Sequence, residues 1–248
     1  MDNKDNEPLI EIGNLSKAFD DNEVLKDVTL KLYPCENLVI LGKSGTGKSV
    51  LIKCIVGLIP PDNGTLKVFG KDITKIKDDE FNEMRSKIGF LFQSAALYDS
   101  MSVEENLEFP LIRHKKDISK DERINLIKEA LENVGLSEAI DKMPSELSGG
   151  MRKRIGLART LILKPKIILY DEPTTGLDPI TSREISELII EVQKKYKAAS
   201  IIITHDMICA KLTADKVMIL NDGKTNEIGT FEDFEKSENT VAKEYLEI

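Results

Sequence analysis

The sequence predicts an α/β fold in which helices cover both faces of a mostly parallel β-sheet. Short apolar strands alternate with helical segments along much of the chain, and this alternation is typical of parallel sheets. We expect an antiparallel β part near the N-terminus, where Leu9–Ile12 and Val28–Leu32 are predicted as short strands. The middle of the chain, about residues 97–163, is mostly helical and predicts an inserted α-helical subdomain.

The chain length suits one large domain with a buried core. We predict a single domain over residues 8–248 and a flexible N-terminus at residues 1–7. Further buried strands are predicted from apolar runs at Asn37–Leu41, Ile88–Phe92, Lys166–Tyr170, Ser200–Thr204 and Lys216–Leu220.

Several helix starts are marked by capping residues. The pairs Ser102–Glu105 and Ser119–Glu122 have the spacing of capping boxes, and Gly135 predicts where the second of these helices ends. Asp178–Pro179 predicts an N-cap and a first-turn proline for a helix that continues to about Lys195. A further helix is predicted at Val50–Leu58, directly after a glycine-rich turn.

The composition favours a globular protein that binds no nucleic acid. Hydrophobic residues make up 41% of the chain and charged residues 31%, as in folded soluble proteins. The net charge of −8 argues against broad nucleic-acid binding, which usually requires a basic surface. The widely spaced Cys35, Cys54 and Cys209 form no CxxC pair, so we expect reduced thiols rather than disulfides or a zinc site.

The sequence contains no candidate membrane span. No stretch reaches the ~18 consecutive apolar residues that such a span needs. The polar start MDNKDNEP resembles neither a signal peptide nor a transit peptide. If the protein works at a membrane, we expect another chain to supply the membrane part.

The glycine-rich turn matches the P-loop pattern GxxxxGK[ST] at every fixed position. Glycines allow the backbone to wrap around phosphates, and the next helix points its positive end at them. Lys48 is expected to reach the β- and γ-phosphates, and the Ser49 hydroxyl to ligate Mg²⁺. The alternative is a plain strand-to-helix turn. The predicted nucleotide-binding residues here are Gly42, Lys43, Ser44, Gly45, Thr46, Gly47, Lys48, Ser49 and Val50.

Two adjacent carboxylates, Asp171 and Glu172, follow the predicted strand Lys166–Tyr170. The carboxyl ends of strands are where open α/β sheets bind ligands. Asp171 is expected to hold Mg²⁺ directly or through water, and Glu172 to polarise the attacking water. The alternative is a solvated acidic turn before Pro173.

The motif Leu147–Met151, with the sequence LSGGM, resembles the signature of ABC ATPases, which is normally LSGGQ. A Ser-Gly-Gly turn that leads into the helix predicted at Arg152–Leu163 offers N–H groups and a helix dipole to an anion. The alternative is an ordinary helix N-cap with a flexible turn.

Other family motifs stand in the expected order along the chain. Phe19 resembles the aromatic residue that stacks on adenine, Gln93 the Q-loop, Gly176–Asp178 the D-loop and His205 the switch histidine. Each would be weak evidence alone: an aromatic residue is usually core, a glutamine is usually surface, Asp178 is a sufficient N-cap, and a lone histidine is usually structural. Their order and spacing carry the resemblance.

The resemblance implies an ATPase that uses ATP and Mg²⁺. ABC ATPases form head-to-tail dimers, which implies a homodimer whose residues Ser148, Gly149 and Gly150 act in trans on the γ-phosphate. The resemblance assigns catalytic roles to Glu172, His205, Gln93 and Lys48. It assigns Mg²⁺ ligation to Ser49, Gln93 and Asp171, and it adds Phe19 and Asp178 to the nucleotide-binding residues.

The resemblance also implies a location and a membrane partner. An integral membrane permease would dock near the Q-loop, with the chain peripheral on the cytoplasmic face of the inner membrane. Two residues depart from the family pattern: Met151 replaces the usual signature glutamine, and Lys43 stands where many members have proline.

Three segments resemble one branch of the family, the ATPases of Mla-type phospholipid-trafficking systems that serve MCE-domain lipid carriers. These segments are Phe92–Asn106, Met143–Glu146 and Asp178–Thr181. This similarity implies phospholipid cargo and an MCE-domain partner. The C-terminal segment Ser237–Ile248 is either a short closing helix or a docking site for a regulatory subunit. The alternatives are an ABC transporter with different cargo and an ABC ATPase outside transport; a small-molecule kinase should lack LSGGM.

Overall fold

The computed structural model describes residues 7–115 and 117–246. Residues 1–6 of the predicted flexible N-terminus lie outside this part. In the described residues the strands are β1 (Ile10–Phe19), β2 (Asn22–Leu32), β3 (Asn37–Leu41), β4 (Asn63–Val68), β5 (Lys71–Asp72), β6 (Ile88–Leu91), β7 (Ile167–Asp171), β8 (Ala199–Thr204), β9 (Lys216–Asn221) and β10 (Lys224–Gly229). They form one sheet in the order β5-β4-β1-β2-β10-β9-β3-β8-β7-β6.

The helices pack on this sheet or on one another. Within the described ranges they are α1 (Lys48–Ile55), α2 (Asp78–Arg85), α3 (Val103–His114), α4 (Lys120–Glu132), α5 (Gly149–Leu161), α6 (Pro179–Tyr196), α7 (Met207–Thr213), α8 (Phe231–Glu235) and α9 (Thr240–Leu246). The helices α3, α4 and α5 contact one another and lie between β6 and β7 in sequence.

The central strands β6, β7, β8, β3 and β9 are parallel, as the apolar runs predict. Their side chains alternate between the two faces of the sheet. Leu38 and Ile40 of β3 belong to one buried cluster, and Val39 and Leu41 belong to the other. Because both faces are buried, these strands are apolar at consecutive positions.

The N-terminal strands form the predicted antiparallel part. β1 pairs antiparallel with β2 and with β4, which in turn pairs with β5. The strand β10 connects this part to the parallel strands, because it pairs with β2 on one side and β9 on the other. The sequence did not predict β4, β5 and β10, since their residues are mostly polar and partly exposed.

Some predicted boundaries are wrong by a few residues. The helix predicted at Val50–Leu58 is α1, which starts at Lys48 inside the P-loop motif and ends at Ile55. Gly57 has a left-handed backbone with φ of +64°, which ends the helix earlier than the apolar run suggested. The signature helix begins at Gly149 rather than Arg152, since Ser148 is its N-cap.

A buried asparagine fixes the segment before α3. The Asn106 side chain is fully buried and donates hydrogen bonds to the carbonyl oxygens of Tyr98, Met101 and Ser102 at 2.9–3.1 Å. Its Oδ1 accepts from the Tyr98 N–H at 2.9 Å. Ser102 and Glu105 cap α3 with the reciprocal hydrogen bonds of the predicted capping box.

We expect Asn106→Leu to lower the free energy of unfolding by about 2–4 kcal/mol, because several buried backbone groups lose their partners. Urea unfolding followed by circular dichroism measures this loss. The matched control is Ser102→Ala, which removes only a helix cap and should cost about 1 kcal/mol. A loss for Asn106→Leu no larger than that of the control would contradict the prediction.

Candidate active site

The P-loop joins β3 to α1 and depends on glycines in left-handed conformations. Gly45 has φ of +84° and Gly47 has φ of +99°. A Cβ atom on Gly47 would lie 2.7 Å from the Leu25 side chain and 2.9 Å from the Val24 carbonyl oxygen. Gly47 is also the N-cap of α1 and has no side chain to cap it. The first N–H groups of the helix are therefore left to bind an anion.

The Lys48 side chain folds back over this loop. Its Nζ donates hydrogen bonds to the carbonyl oxygens of Gly42 and Lys43, the second at 3.0 Å. A Glu172 carboxylate oxygen lies 4.0 Å from Nζ. Burial lowers the pKa of Lys48, and the carboxylates of Glu172 and Asp171 oppose that effect. A phosphate group on the loop would give this ammonium a further anionic partner.

Oxygen groups suited to Mg²⁺ meet at the ends of α1 and β7. The Ser49 hydroxyl donates to Asp171 Oδ1 at 3.3 Å. Burial raises the pKa of the Asp171 carboxyl, while the hydrogen bond from Ser49 lowers it. Gln93, which follows β6, lines the same cleft as Ser49. A hydroxyl, a carboxylate and an amide fit Mg²⁺, which binds few protein ligands and completes its shell with phosphate oxygens and water.

Glu172 follows β7 and adopts a left-handed backbone with φ of +51°. This conformation costs a non-glycine residue roughly 1 kcal/mol or more. Its Oε2 accepts a hydrogen bond from the Thr175 hydroxyl at 3.0 Å and lies 2.8 Å from His205 Nδ1. An ionised carboxylate only accepts hydrogen bonds, so towards a carboxylate Nδ1 of His205 would be the donor in this contact.

These groups surround one cleft of about 500 Å³. The predicted residues that line it are Lys43, Ser44, Gly45, Gly47, Lys48, Ser49, Val50, Gln93, Glu172 and His205. Thr46 shapes the loop instead, because its hydroxyl donates to the Lys43 carbonyl oxygen at 2.9 Å. The parallel order β3-β8-β7-β6 explains why these residues lie together, since the carboxyl ends of these strands share one edge of the sheet.

Phe19 lies at the end of β1, outside the residues that line the cleft. Its side chain is exposed, and Lys17 Nζ lies 5.4 Å from the ring centroid. Val24 of β2 lines the cleft instead. The predicted adenine-stacking residue is therefore available at the surface, but the cleft of this chain does not contain it.

The signature and the D-loop lie outside the chain's own cleft. The Ser148 hydroxyl accepts from the Met151 N–H at 3.2 Å and caps α5, with Gly149 and Gly150 in the first turn. The Asp178 carboxylate caps α6 by accepting from the N–H groups of Ile180 and Thr181, as its N-cap interpretation predicts.

Sequence reasoning missed three residues that contact the site. Val24 lines the cleft, Thr175 binds the Glu172 carboxylate, and Lys153 Nζ donates to the Glu172 carbonyl oxygen at 3.0 Å. Thr175 could have been found from its position three residues after Glu172. Nothing in the sequence marks Lys153, which stands between two arginines and looks like a solvated surface residue.

A P-loop at the edge of a parallel sheet, next to paired carboxylates, defines a P-loop NTPase. The sequence profile described as "ABC transporter" matches residues 25–175, more than half of the chain. The chain belongs to this family. It is an ABC-type ATPase domain, and it binds ATP with Mg²⁺.

Relatives whose names refer to different cargoes are similar to this protein over nearly the whole chain. The probable ribonucleotide transport ATP-binding protein mkl of Mycobacterium leprae is 39% identical over 96% of this chain and 68% of its own length. Protein TRIGALACTOSYLDIACYLGLYCEROL 3, chloroplastic, of Arabidopsis thaliana is 38% identical over 97% and 74%. The methionine import ATP-binding protein MetN of Clostridium acetobutylicum is 40% identical over 90% and 69%. The chain spans about two thirds of the length of the mycobacterial relatives.

Solved structures of ABC cassettes share the fold. The dimeric ATP-binding cassette MJ0796, in a post-hydrolysis state with ADP and Pi, has a TM-score of 0.80 and 30% identity. That match covers 89% of this chain and 98% of the other. CbiO1 of Clostridium perfringens, part of the transporter complex cbiONQ, has a TM-score of 0.85 and 28% identity over 98% and 96% of the two chains.

Among residues 7–115 and 117–246, no helix has the length and apolar character that crossing a membrane requires.

We expect Glu172→Gln to leave ATP binding intact, to reduce hydrolysis by at least roughly 100-fold and to trap an ATP-bound dimer. The amide keeps the size of the side chain but cannot act as a carboxylate on the attacking water. Phosphate release and size-exclusion chromatography with ATP measure the two effects. The matched control is Glu187→Gln on the exposed side of α6, which should hydrolyse ATP like the wild type. Fast turnover by Glu172→Gln would contradict the assigned role.

Proposed function

We propose that this chain is the ATPase subunit of a transporter that moves phospholipid between bacterial membranes through a separate permease. The segment Phe92–Asn106, which resembles Mla-type systems, is the observation that carries this proposal. The Arabidopsis relative supports this proposal, since its name contains the name of a glycolipid. The same resemblance adds an MCE-domain lipid-binding protein as a partner.

Transport of a different solute is the second candidate. Relatives with a similar sequence identity to this chain have names that refer to ribonucleotide transport and to methionine import. The ATPase chemistry would be the same with either cargo, because the cargo does not enter the nucleotide cleft.

In the proposed reaction the P-loop N–H groups and Lys48 bind the β- and γ-phosphates. Ser49, Asp171 and Gln93 would hold Mg²⁺, which would neutralise charge on the transferred phosphoryl group. Glu172 then orients a water for in-line attack on the γ-phosphate. Most of the rate gain would come from positioning and from these fixed charges.

His205 is proposed to contact the γ-phosphate from the same side of the cleft. With Nδ1 as the donor to Glu172, a neutral ring would present only an acceptor at Nε2. A hydrogen bond to a phosphate oxygen therefore needs a doubly protonated ring or a ring that has turned away from Glu172. The side chain is 62% exposed, which leaves room for that rotation.

The signature is proposed to act on ATP bound to a second copy of the chain. Ser148, Gly149 and Gly150 form the exposed N-terminal turn of α5, and they lie outside the chain's own cleft. The dimeric state of the related MJ0796 cassette supports this arrangement. In a head-to-tail dimer each P-loop would face the partner's signature, and Asp178 and Phe19 would complete the site from the D-loop and the adenine side.

The surface around Gln93 is proposed as the permease docking site, with the chain on the cytoplasmic face of the inner membrane. Exposed apolar side chains, Phe92, Tyr98 and Ile112, lie in this region of the sequence. The Tyr98 ring is 5.1 Å from the Phe109 ring. This partly exposed aromatic pair offers an apolar contact for another protein.

Mixing two inactive variants tests the shared sites. We expect Ser148→Arg and Lys48→Ala proteins to be inactive alone and to regain up to roughly a quarter of wild-type ATPase activity when mixed. Half of the dimers would be mixed, and each would contain one intact P-loop facing one intact signature. The control replaces Ser148→Arg with a protein that carries both substitutions. No recovery above this control would contradict sites built across two chains.

Purification from membranes tests the cargo and the docking surface. We expect the wild type to co-purify with a permease and an MCE-domain protein, and Tyr98→Asp to lose both because a charge disrupts an apolar contact. The matched control is Leu58→Asp, which changes an exposed leucine after α1. Recovery with a methionine or ribonucleotide permease and no MCE protein would overturn the phospholipid proposal.

A further inference from the structure

Lys153 is a buried lysine in the helix that begins with the signature. Its residue is only 5% exposed, although its neighbours Arg152 and Arg154 are partly exposed. Its Nζ donates to the backbone carbonyl oxygen of Glu172 at 3.0 Å. The carboxylates of Asp171 and Glu172 are the charges that favour its protonated form.

Packing alone does not explain why a lysine occupies this buried position. Burying an ammonium group costs free energy, and burial lowers the pKa of Lys153 to about 8. A methionine would fill much of the same space without that cost. The explanation therefore lies in the group that Lys153 contacts.

That group is the peptide that sets the direction of the Glu172 side chain. The Glu172 backbone is left-handed, with φ of +51°, and must be held in place by its surroundings. Its N–H donates to the Ile203 carbonyl oxygen at 2.9 Å, and its carbonyl oxygen also accepts from the Thr175 N–H at 3.3 Å. Lys153 adds the charged donor, which makes the shorter of the two bonds to this oxygen.

We propose that Lys153 is a positioning residue for ATP hydrolysis, which holds the strained Glu172 backbone so that its carboxylate faces the attacking water. This inference depends on the proposed role of Glu172. Lys153 and the signature turn at Ser148 belong to the same short helix. This hydrogen bond therefore connects the Glu172 backbone to the helix whose first turn is proposed to bind the partner's nucleotide.

The test compares Lys153→Met with Lys153→Arg in the full chain, with kcat, KM for ATP and the thermal unfolding temperature as readouts. We expect Lys153→Met to lower kcat by at least roughly tenfold, since small misplacements of a reacting group have effects of this size. KM should stay within about twofold, because the P-loop contacts are unchanged. The unfolding temperature should stay within a few degrees of the wild type, because the relieved cost of burying the ammonium group offsets the lost hydrogen bond.

Lys153→Arg should recover much of the lost kcat, because a guanidinium still donates to the Glu172 carbonyl oxygen. The matched control is Arg154→Met on the same helix. Arg154 donates to the Val134 carbonyl oxygen and pairs with Glu184. Its loss should lower the unfolding temperature and leave kcat within about twofold of the wild type.

Three results would overturn the proposal: wild-type kcat in Lys153→Met, a loss of kcat that Lys153→Arg does not reduce, or a Lys153→Met protein that is destabilised or unfolded. The last result would assign Lys153 to stability. Glu172→Gln is measured alongside. If that variant hydrolyses ATP normally, the assignment of Glu172 fails; if it is inactive while Lys153→Met is normal, only the Lys153 proposal fails.

Discussion

The rest of the site depends on one buried ammonium group that faces two carboxylates at the edge of a parallel sheet. Lys48 lies 4.0 Å from Glu172, next to Asp171, where β3 and β7 end. Burial makes each charged form less favourable, since it lowers the pKa of Lys48 and raises that of Asp171. A bound phosphate would favour the charged form of Lys48, and Mg²⁺ would favour the charged form of Asp171. Burial of these groups would therefore favour the binding of a nucleotide together with its metal.

The Glu172 carboxylate, which is proposed to act on the attacking water, is held in a strained conformation by contacts from several elements. Glu172 has a left-handed backbone, and its N–H is fixed by Ile203 of β8. Thr175 and His205 bind its carboxylate, while Lys153 binds its carbonyl oxygen. Strained residues of this kind persist only where their surroundings determine them fully. Here the surroundings come from the strand, the turn after it and the signature helix, so the carboxylate direction depends on all three.

The helices α3, α4 and α5 carry exposed groups that lie outside the nucleotide cleft. The signature turn is exposed at the start of α5, and the segment before α3 is fixed from inside by Asn106. A buried amide that satisfies several backbone groups makes an irregular segment rigid without regular secondary structure. The exposed side chain of Tyr98 is therefore presented from a fixed backbone, as the proposed docking surface requires.

The sequence by itself determined the parallel strands, the P-loop, the acidic pair and the signature, because each is a local pattern: an apolar run or a fixed spacing of residue types. It missed β4 and β10, whose polar residues become strands only through pairing with neighbours. Only the tertiary structure brought Lys153 to Glu172. A lysine between two arginines looks solvated, and its burial follows from the packing of α5 against β6 and the neighbouring helices, which no local pattern encodes.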